Sequence, residues 1–257
     1  MQSTFNKFGG GAHGIARVIS KRGYCSRSKA EMLVKEGRVT LNGKVVVNPE
    51  TPTRENDEIV INGKSIKAAE KLYFMMNKPK GYVTTASDEK NRPTVIDLFN
   101  EKYRHKYAHL QPNQKAPHIS PVGRLDCASE GLLLLSNDTQ WANEILDPKN
   151  SHIKIYRVQT KGILSEVDLK KLVDGFMVPA RIFGEKEEFM KAKSAAIHNV
   201  GEKNCWLQIT LTEGKNRQIR RMLDTLGYPV LRLIRIQINN YQLGQLKPGE
   251  IESINSK

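Results

Sequence analysis

Two short amphipathic helices are predicted near the start of the chain. Ile15 and Val18 fall on one face of the first helix, and Gly23 follows at a position where a helix would end. The second helix is predicted to begin at Ser28, which would form a capping box with Glu31. Each helix has one apolar face and therefore needs a second layer to pack against.

Short strand patterns follow these helices and supply that layer. The second helix should end at Gly37, residues 39–47 alternate around an Asn-Gly turn, and residues 58–61 form a last apolar run. We therefore expect a small α+β module at the front of the chain. The expected boundaries are a disordered, Gly-rich leader at 1–14, the N-terminal module at 15–63 and a polar linker at 64–70.

Strand patterns dominate the rest of the chain, residues 71–257, which we expect to form one larger domain. Residues 132–135 are four consecutive leucines, which is typical of a fully buried strand. Residues 104–118 mix His, Lys and Pro and are predicted to be an exposed loop, and residues 176–200 show no clear pattern. Further strands are predicted at 72–76, 154–160 and 207–212, and helices at 139–146, 165–174 and 217–226. On the last helix, Arg217, Arg220 and Arg221 have the spacing of one stripe.

The charge of the chain favours a polyanionic partner. Lys and Arg number 41 against 27 acidic residues, which gives a formal net charge of +14. A phosphate backbone is the commonest partner for such an excess, and a merely solvated basic surface is the alternative.

The composition also narrows the chemistry. The three cysteines, Cys25, Cys127 and Cys205, have no spacing typical of a disulfide framework or a zinc site, which fits a reducing, cytoplasmic setting. There is no Walker loop or dinucleotide fingerprint, so neither a cofactor nor a metal is expected. No apolar run approaches the ~20 residues of a membrane span, and we expect no membrane association.

One carboxylate, Asp126, stands out as a candidate catalytic group. It follows Arg124 in a short polar segment directly before the four leucines, so a rigid buried strand would hold its loop. On spacing alone, an Asp that caps a turn before a core strand is an equal alternative. Two segments, Gly-Arg-Leu-Asp at 123–126 and Glu-Gly-Leu-Leu-Leu-Leu-Ser-Asn-Asp at 130–138, closely resemble the catalytic motif of RNA pseudouridine synthases of the RsuA type. Members of that family isomerise uridines in ribosomal RNA. Ser129 and Thr139 depart from the usual Thr and Gly of that motif.

Four further segments extend this resemblance over residues 15–250. Lys-Pro-Lys-Gly at 78–81 is similar to the first motif of the family, Lys154 and Tyr156 to its Lys-x-Tyr strand, and residues 214–221 to its third motif. Residues 26–43 resemble the small RNA-binding module first named from ribosomal protein S-four.

The resemblance implies a role for individual residues. Asp126 would be the reacting carboxylate, Tyr156 would lie against the target base, and Arg220 would form an ion pair with Asp126. Arg124 would fill the space that the flipped base leaves. Further RNA contacts are expected at Arg17, Lys21, Arg22, Arg27, Lys29, Arg38, Lys78, Lys80, Lys154, Lys215, Asn216, Arg217 and Ile219.

The resemblance also implies the fold and the substrate. We expect an α+β protein in which the small RNA-binding module precedes a domain with a long, mostly antiparallel mixed sheet flanked by helices. The partner would be ribosomal RNA, free or in an assembling particle. The resemblance favours RNA of the large subunit, and the protein would act as a monomer. The alternatives are a synthase for small-subunit RNA and a non-catalytic ribosome-assembly factor on the same scaffold.

Overall fold

The computed structural model describes residues 12–67, 70–85, 88–108, 118–150, 152–180 and 186–254, with only the backbone for 104–108. The chain divides into two compact units. The first contains residues up to 73 together with 103–120 and 136–139, and the second contains 74–102, 121–135 and the residues from 140 onward. The predicted division near residue 70 thus differs by a few residues, and two later segments group with the first unit.

The N-terminal module has the predicted helices and small sheet. Its four-stranded sheet has the order β3-β2-β5-β6 with antiparallel pairing, and β1 pairs separately with β4. The core is formed by the predicted apolar faces, with Ile15, Val34 and Ile59 fully buried. The elements are β1 (His13–Gly14), α1 (Ile15–Lys21), α2 (Arg27–Lys35), β2 (Val39–Leu41), β3 (Lys44–Val46), β4 (Pro52–Thr53), β5 (Ile59–Ile61) and β6 (Lys64–Ser65).

The start of α2 differs from the predicted capping box. Ser26, with extended backbone, caps the helix by accepting a hydrogen bond from the Lys29 N–H at 3.3 Å. Ser28 already lies inside the helix, and Glu31 instead pairs with Arg27 at 3.0 Å. Two serines two residues apart both fit the capping pattern, and the chain uses the earlier one.

The module is longer than predicted at both ends. Residues 1–11 of the expected disordered leader lie outside the described residues, but residues 13–14 are ordered in β1. At the other end, β6 adds a strand to β5, and Ile66 is 8% exposed in the module core. The first residues of the expected linker therefore belong to the sheet.

The larger sheet confirms the expected long, mostly antiparallel arrangement. Nine strands take part, in the order β13-β14-β10-β15-β9-β7-β17, with β16 on β15 and β8 on β9. Strands β15 and β9 run parallel, whereas the pairs β13–β14, β14–β10, β10–β15 and β7–β17 are antiparallel. The elements are β7 (Tyr73–Lys78), α3 (Val95–Ala108), β8 (Ser120–Val122), β9 (Glu130–Ser136), α4 (Thr139–Leu146), β10 (Lys154–Lys161), α5 (Glu166–Asp174), β11 (Phe176–Val178), β12 (Glu188–Met190), β13 (Ser194–Val200), β14 (Asn204–Leu211), α6 (Gln218–Thr225), β15 (Val230–Ile238), β16 (Tyr241–Gln242) and β17 (Ile251–Ser253).

The centre of this sheet depends on Gly131. Its φ of +103° is one that residues with side chains rarely adopt, and a Cβ there would lie 2.3 Å from the backbone oxygen of Arg235 on β15. The absence of a side chain therefore lets β9 and β15 approach, and the four leucines that follow are completely buried.

Two sequence expectations for this region need correction. Residues 104–108 continue helix α3 instead of beginning an exposed loop, while 109–117 lie outside the described residues. Residues 176–200 contain three strands, β11, β12 and β13, that no pattern predicted. Strand β13 is exposed along nearly its whole length, so it lacks the alternation of apolar and polar residues that marks a half-buried strand. None of the described helices is long and apolar enough to cross a membrane.

Candidate active site

Asp126 lies on a loop between β8 and β9 that borders a cavity of about 460 Å³. Its side chain is 36% exposed, and one carboxylate oxygen is 3.4 Å from a guanidinium nitrogen of Arg217. We call residues 123–129 the Asp126 loop. Tyr156, Lys154 and Arg235 line the same cavity.

The backbone of the Asp126 loop is held by hydrogen bonds along its length. Each carbonyl oxygen from residue 124 to residue 129 accepts a hydrogen bond from outside the loop, and most of the donors are cationic side chains. Such bonds to charged donors are stronger than neutral ones and fix the loop geometry. The donors are Arg235 for Arg124 (3.3 Å), Thr84 for Leu125 (2.7 Å), Lys78 for Asp126 (3.1 Å), the Gly81 N–H for Cys127 (2.8 Å), Arg220 for Ala128 (3.0 Å) and Lys78 for Ser129 (2.7 Å).

Lys78 is an internal support of this loop and does not face solvent. It ends strand β7, has no exposed surface, and directs its Nζ at the carbonyls of Asp126 and Ser129. Burial lowers its pKa from 10.5 to about 8, although the neighbouring Cys127 and Asp126 act in the opposite direction. The predicted contact between Lys78 and RNA phosphate is therefore wrong. The neighbouring Lys80, in contrast, is exposed as expected.

Arg220 also has a different place from the predicted one. It makes no ion pair with Asp126, and its guanidinium donates to the Ala128 carbonyl and to the Ser129 hydroxyl at 3.4 Å. Burial and the adjacent Arg217 lower the pKa of Arg220, and Asp126 opposes that shift.

Arg217 provides the ion pair because α6 begins one residue later than expected. Arg217 has left-handed backbone angles (φ 50°, ψ 32°) and occupies the N-cap position, just before the first helical residue. The predicted stripe of arginines assumed a helical Arg217, so the spacing from Arg217 to Arg220 does not describe one helix face.

Tyr156 is placed as the sequence indicates. It is 8% exposed on β10, shares a buried face with Val158, and borders the cavity. Lys154, two residues earlier, is half-buried, and burial and the charge of Arg235 lower its pKa. Arg124 is exposed and also lines the cavity.

The residues of the third motif divide between the cavity and internal contacts. Lys215 lines the cavity but also donates to the Phe189 carbonyl at 2.5 Å and pairs with Glu188 at 3.5 Å. Ile219 is 4% exposed and lines the cavity, and Asn216 is exposed.

Most of the predicted RNA-binding cations of the N-terminal module are exposed, but Arg22 is not. Arg22 is 8% exposed and donates to the carbonyls of Ile66, Glu55 and Asp57. It follows the last residue of α1, so helical spacing no longer directs it outward. The expectation that Arg22 contacts RNA is therefore wrong. The exposed members are Arg17, Lys21, Arg27, Lys29 and Arg38, of which Arg27 and Arg38 pair with glutamates.

Sequence reasoning missed Thr84 and Arg235 as supports of the Asp126 loop. Thr84 gives no sequence signal. Arg235 does, because it lies between Ile234 and Ile236 in a largely apolar strand, and a charged residue is rarely buried there unless it is hydrogen-bonded. Within the described residues, no three His, Cys, Asp or Glu side chains approach closely enough to hold a metal ion.

Comparisons with known proteins agree with this geometry. Residues 72–225 match the model of the RNA pseudouridylate synthase family, and residues 14–59 match the S4 domain. The chain is 35% identical to the ribosomal large subunit pseudouridine synthase B of Bacillus subtilis over 93% of its own length and 91% of that protein. It is 34% identical to an uncharacterized RNA pseudouridine synthase of Aquifex aeolicus, over 94% and 90% of the two chains.

A solved structure described as a pseudouridylate synthase superposes with a TM-score of 0.61 at 27% identity and covers 95% of this chain and 96% of its own. The family match includes the Asp126 loop, β10 and the whole of α6. This chain therefore belongs to the RNA pseudouridylate synthase family, as a member of the RsuA type with an N-terminal S4 domain.

Proposed function

We propose that this protein converts uridine to pseudouridine in ribosomal RNA of the large subunit, with Asp126 as the reacting carboxylate. The observation that carries the proposal is the placement of Asp126. Its carboxylate is part-exposed at a cavity and paired with Arg217, while its loop backbone is fixed by cations. A mobile acid would lose the orientation that catalysis requires.

The reaction breaks the bond from N1 of uracil to C1′ of ribose and joins C5 to C1′ instead. The proton on C5 is lost, N1 gains one, and no redox change occurs. Asp126 acts in its ionised form, either as a nucleophile at C1′ or as a base that removes a sugar proton. Both routes need the carboxylate close to the ribose, and Arg217 at 3.4 Å orients it there.

In this proposal Tyr156 and Arg124 interact with the target base and with the space that it leaves. The target uridine must leave its stack, which costs a few kcal/mol. Tyr156 borders the cavity and offers an aromatic face to the base, while the exposed Arg124 can occupy the gap in the RNA. Arg220, in this arrangement, acts through the Asp126 loop and does not pair with the carboxylate.

The substrate class follows from the relatives and from the N-terminal module. The Bacillus subtilis relative is named for the large ribosomal subunit, and the module exposes cations for a phosphate backbone. We propose that the module binds structured ribosomal RNA while the second unit carries out the isomerisation, and that the protein acts as a monomer in the cytoplasm.

The test is tritium release from ribosomal RNA labelled at C5 of uridine. Wild type should release tritium from large-subunit RNA, whereas Asp126→Asn should release none and keep RNA affinity within several-fold. Asp224→Asn, the same change at an exposed position on α6, is the matched control and should behave as wild type. Normal release by Asp126→Asn would disprove the role of the carboxylate.

Free transcripts and precursor particles of both subunits are assayed in parallel. Tritium release only from small-subunit RNA would show that the protein is a synthase for small-subunit RNA and not for large-subunit RNA. Tight RNA binding without release from any of these substrates would support the second alternative, a non-catalytic assembly factor.

A further inference from the structure

Among the residues that the structure describes, Lys154 and Arg235 line the cavity without an acidic partner. Among the described residues, the Lys154 ammonium makes no hydrogen bond or ion pair, although it is half-buried and borders the cavity. Arg235 is 4% exposed and donates only to the carbonyls of Leu132 (2.8 Å) and Arg124 (3.3 Å). Its remaining nitrogen, Nη2, is buried without a partner.

These two positive charges lie close enough to affect each other. Arg235 contributes to the lowered pKa of Lys154, second only to burial. Partly desolvated like charges destabilise a folded protein unless a counter-charge offsets them. No carboxylate supplies that counter-charge to either residue in the described part of the chain. Asp126, the acid that shares the cavity, is paired with Arg217.

The two residues differ in a way that suits anion binding. Arg235 is fixed by its two carbonyl acceptors, so its charge has a constant position. Lys154 has a flexible stem and three donor hydrogens, and its Nζ is next to Gly214, where a Cβ would lie in ordinary van der Waals contact with it, at 3.5 Å. A glycine at this point leaves room beside the ammonium for a ligand.

We propose that Lys154 and Arg235 form a phosphate subsite that binds one backbone phosphate adjacent to the target uridine. The inference rests on the proposed function, since it requires a nucleotide in the cavity. A phosphate fits better than a uracil oxygen because two uncompensated charges match an anion, whereas the uracil carbonyls are neutral. Lys154 makes the direct contact, and Arg235 adds a fixed second charge.

A chemical double-mutant cycle tests this subsite. The probe is a synthetic RNA hairpin that contains the uridine mapped by tritium release, with a neutral methylphosphonate at its 5′ or 3′ phosphate. The neutral and the charged hairpin both carry 2′-deoxyribose before that linkage, which keeps the linkage stable. Dissociation constants are measured with Asp126→Asn protein, so that the RNA is not converted, with and without Lys154→Met.

Lys154→Met should weaken binding of the charged hairpin by about tenfold, and one of the two methylphosphonates should weaken wild-type Lys154 binding similarly. Combined, the two changes should cause little more loss than either alone. Lys161→Met is the matched control, because Lys161 is exposed at the other end of β10. The factor by which Lys161→Met raises the dissociation constant should multiply with the factor for either methylphosphonate.

Independent, multiplying losses for Lys154→Met at both phosphates would overturn the subsite. That outcome is distinct from failure of the proposed function, which would already appear as absent tritium release by wild type. Lys154→Met protein that binds the charged hairpin as tightly as its parent would also overturn the subsite.

Discussion

Two groups of cationic side chains, one in each unit, lie in opposite environments. In the N-terminal module, Arg17, Lys21 and Lys29 project into solvent. Around the Asp126 loop, Lys78 and Arg220 are at most 8% exposed and donate to backbone carbonyls. An exposed cation attracts phosphate through a field that salt screens, while a buried cation fixes geometry and is shielded from salt. The same residue types therefore serve binding in one unit and positioning in the other.

The largest test of this difference is the replacement of Lys78, which should reduce the catalytic rate and leave RNA affinity nearly unchanged. Lys78→Met removes the donor to the carbonyls of Asp126 and Ser129, so the loop should relax and kcat should fall by about 100-fold or more. The RNA dissociation constant should stay within twofold. Lys80→Met, two residues away and exposed, is the matched control and should weaken binding slightly while kcat stays constant. The measurements are single-turnover rates and filter binding.

The pH profile gives a second view of Lys78. Because its pKa in the folded protein is about 8, activity should decline as pH rises through 8, when the ammonium loses the proton that serves the loop. Its contribution to stability has the opposite sign. Between pH 8 and 10.5 the unfolded state binds more protons at this group, so its contribution to the free energy of unfolding rises with pH.

A comparison of pH profiles separates this group from others that titrate above neutrality. Lys78→Met protein should have a low rate that lacks the decline near pH 8. An unchanged decline in the variant would assign it to another group, such as the uracil itself.

Arg22 is a buried cation of the N-terminal module and differs in this from its exposed cations. We expect the next largest effect from its replacement. Arg22→Met leaves the buried carbonyl of Ile66 and the part-buried carbonyls of Glu55 and Asp57 without their donor, which should cost the module about 2–3 kcal/mol of stability. Lys21→Met, the same kind of change at an exposed neighbour, should cost almost nothing. Hydrogen exchange in residues 15–66, measured at increasing urea concentrations, gives the stability of the module in both variants.

The RNA affinity of the Arg22→Met protein shows whether Arg22 stabilises the module or contacts RNA directly. At a temperature where the module remains folded, Arg22→Met should bind RNA like wild type. A stable Arg22→Met protein with much weaker RNA binding would instead support a direct phosphate contact.

The sequence could predict where elements lie better than where cations point. Motifs and periodicity located the Asp126 loop, Tyr156 on β10 and the core of the module, because these depend on local spacing. The direction of Lys78 depends on a loop some 50 residues later in the chain, with which it makes its hydrogen bonds. No local pattern contains that information.

The partner of Asp126 shows the same limit. Arg217 and Arg220 are three residues apart, and both are cations near a helix start. Which of them reaches the carboxylate depends on a single left-handed residue at the helix boundary, and boundaries are the least predictable feature of an element.

The smallest effects are expected at the exposed cations of the module, and salt dependence distinguishes them from the buried set. Lys21→Gln or Lys29→Gln should each weaken RNA binding only a few-fold, because we expect several exposed cations of the module to share the contacts with the phosphate backbone. Each change should also reduce the slope of log Kd against log salt by about 0.7–0.9, the value for one lost phosphate contact. Lys78→Met should leave that slope unchanged, since a lysine with no exposed surface displaces no counterion from RNA. A reduced slope for Lys78→Met would mean that its ammonium reaches the RNA in the complex, and the division between exposed binding cations and buried positioning cations would then fail at the residue that defines it most sharply.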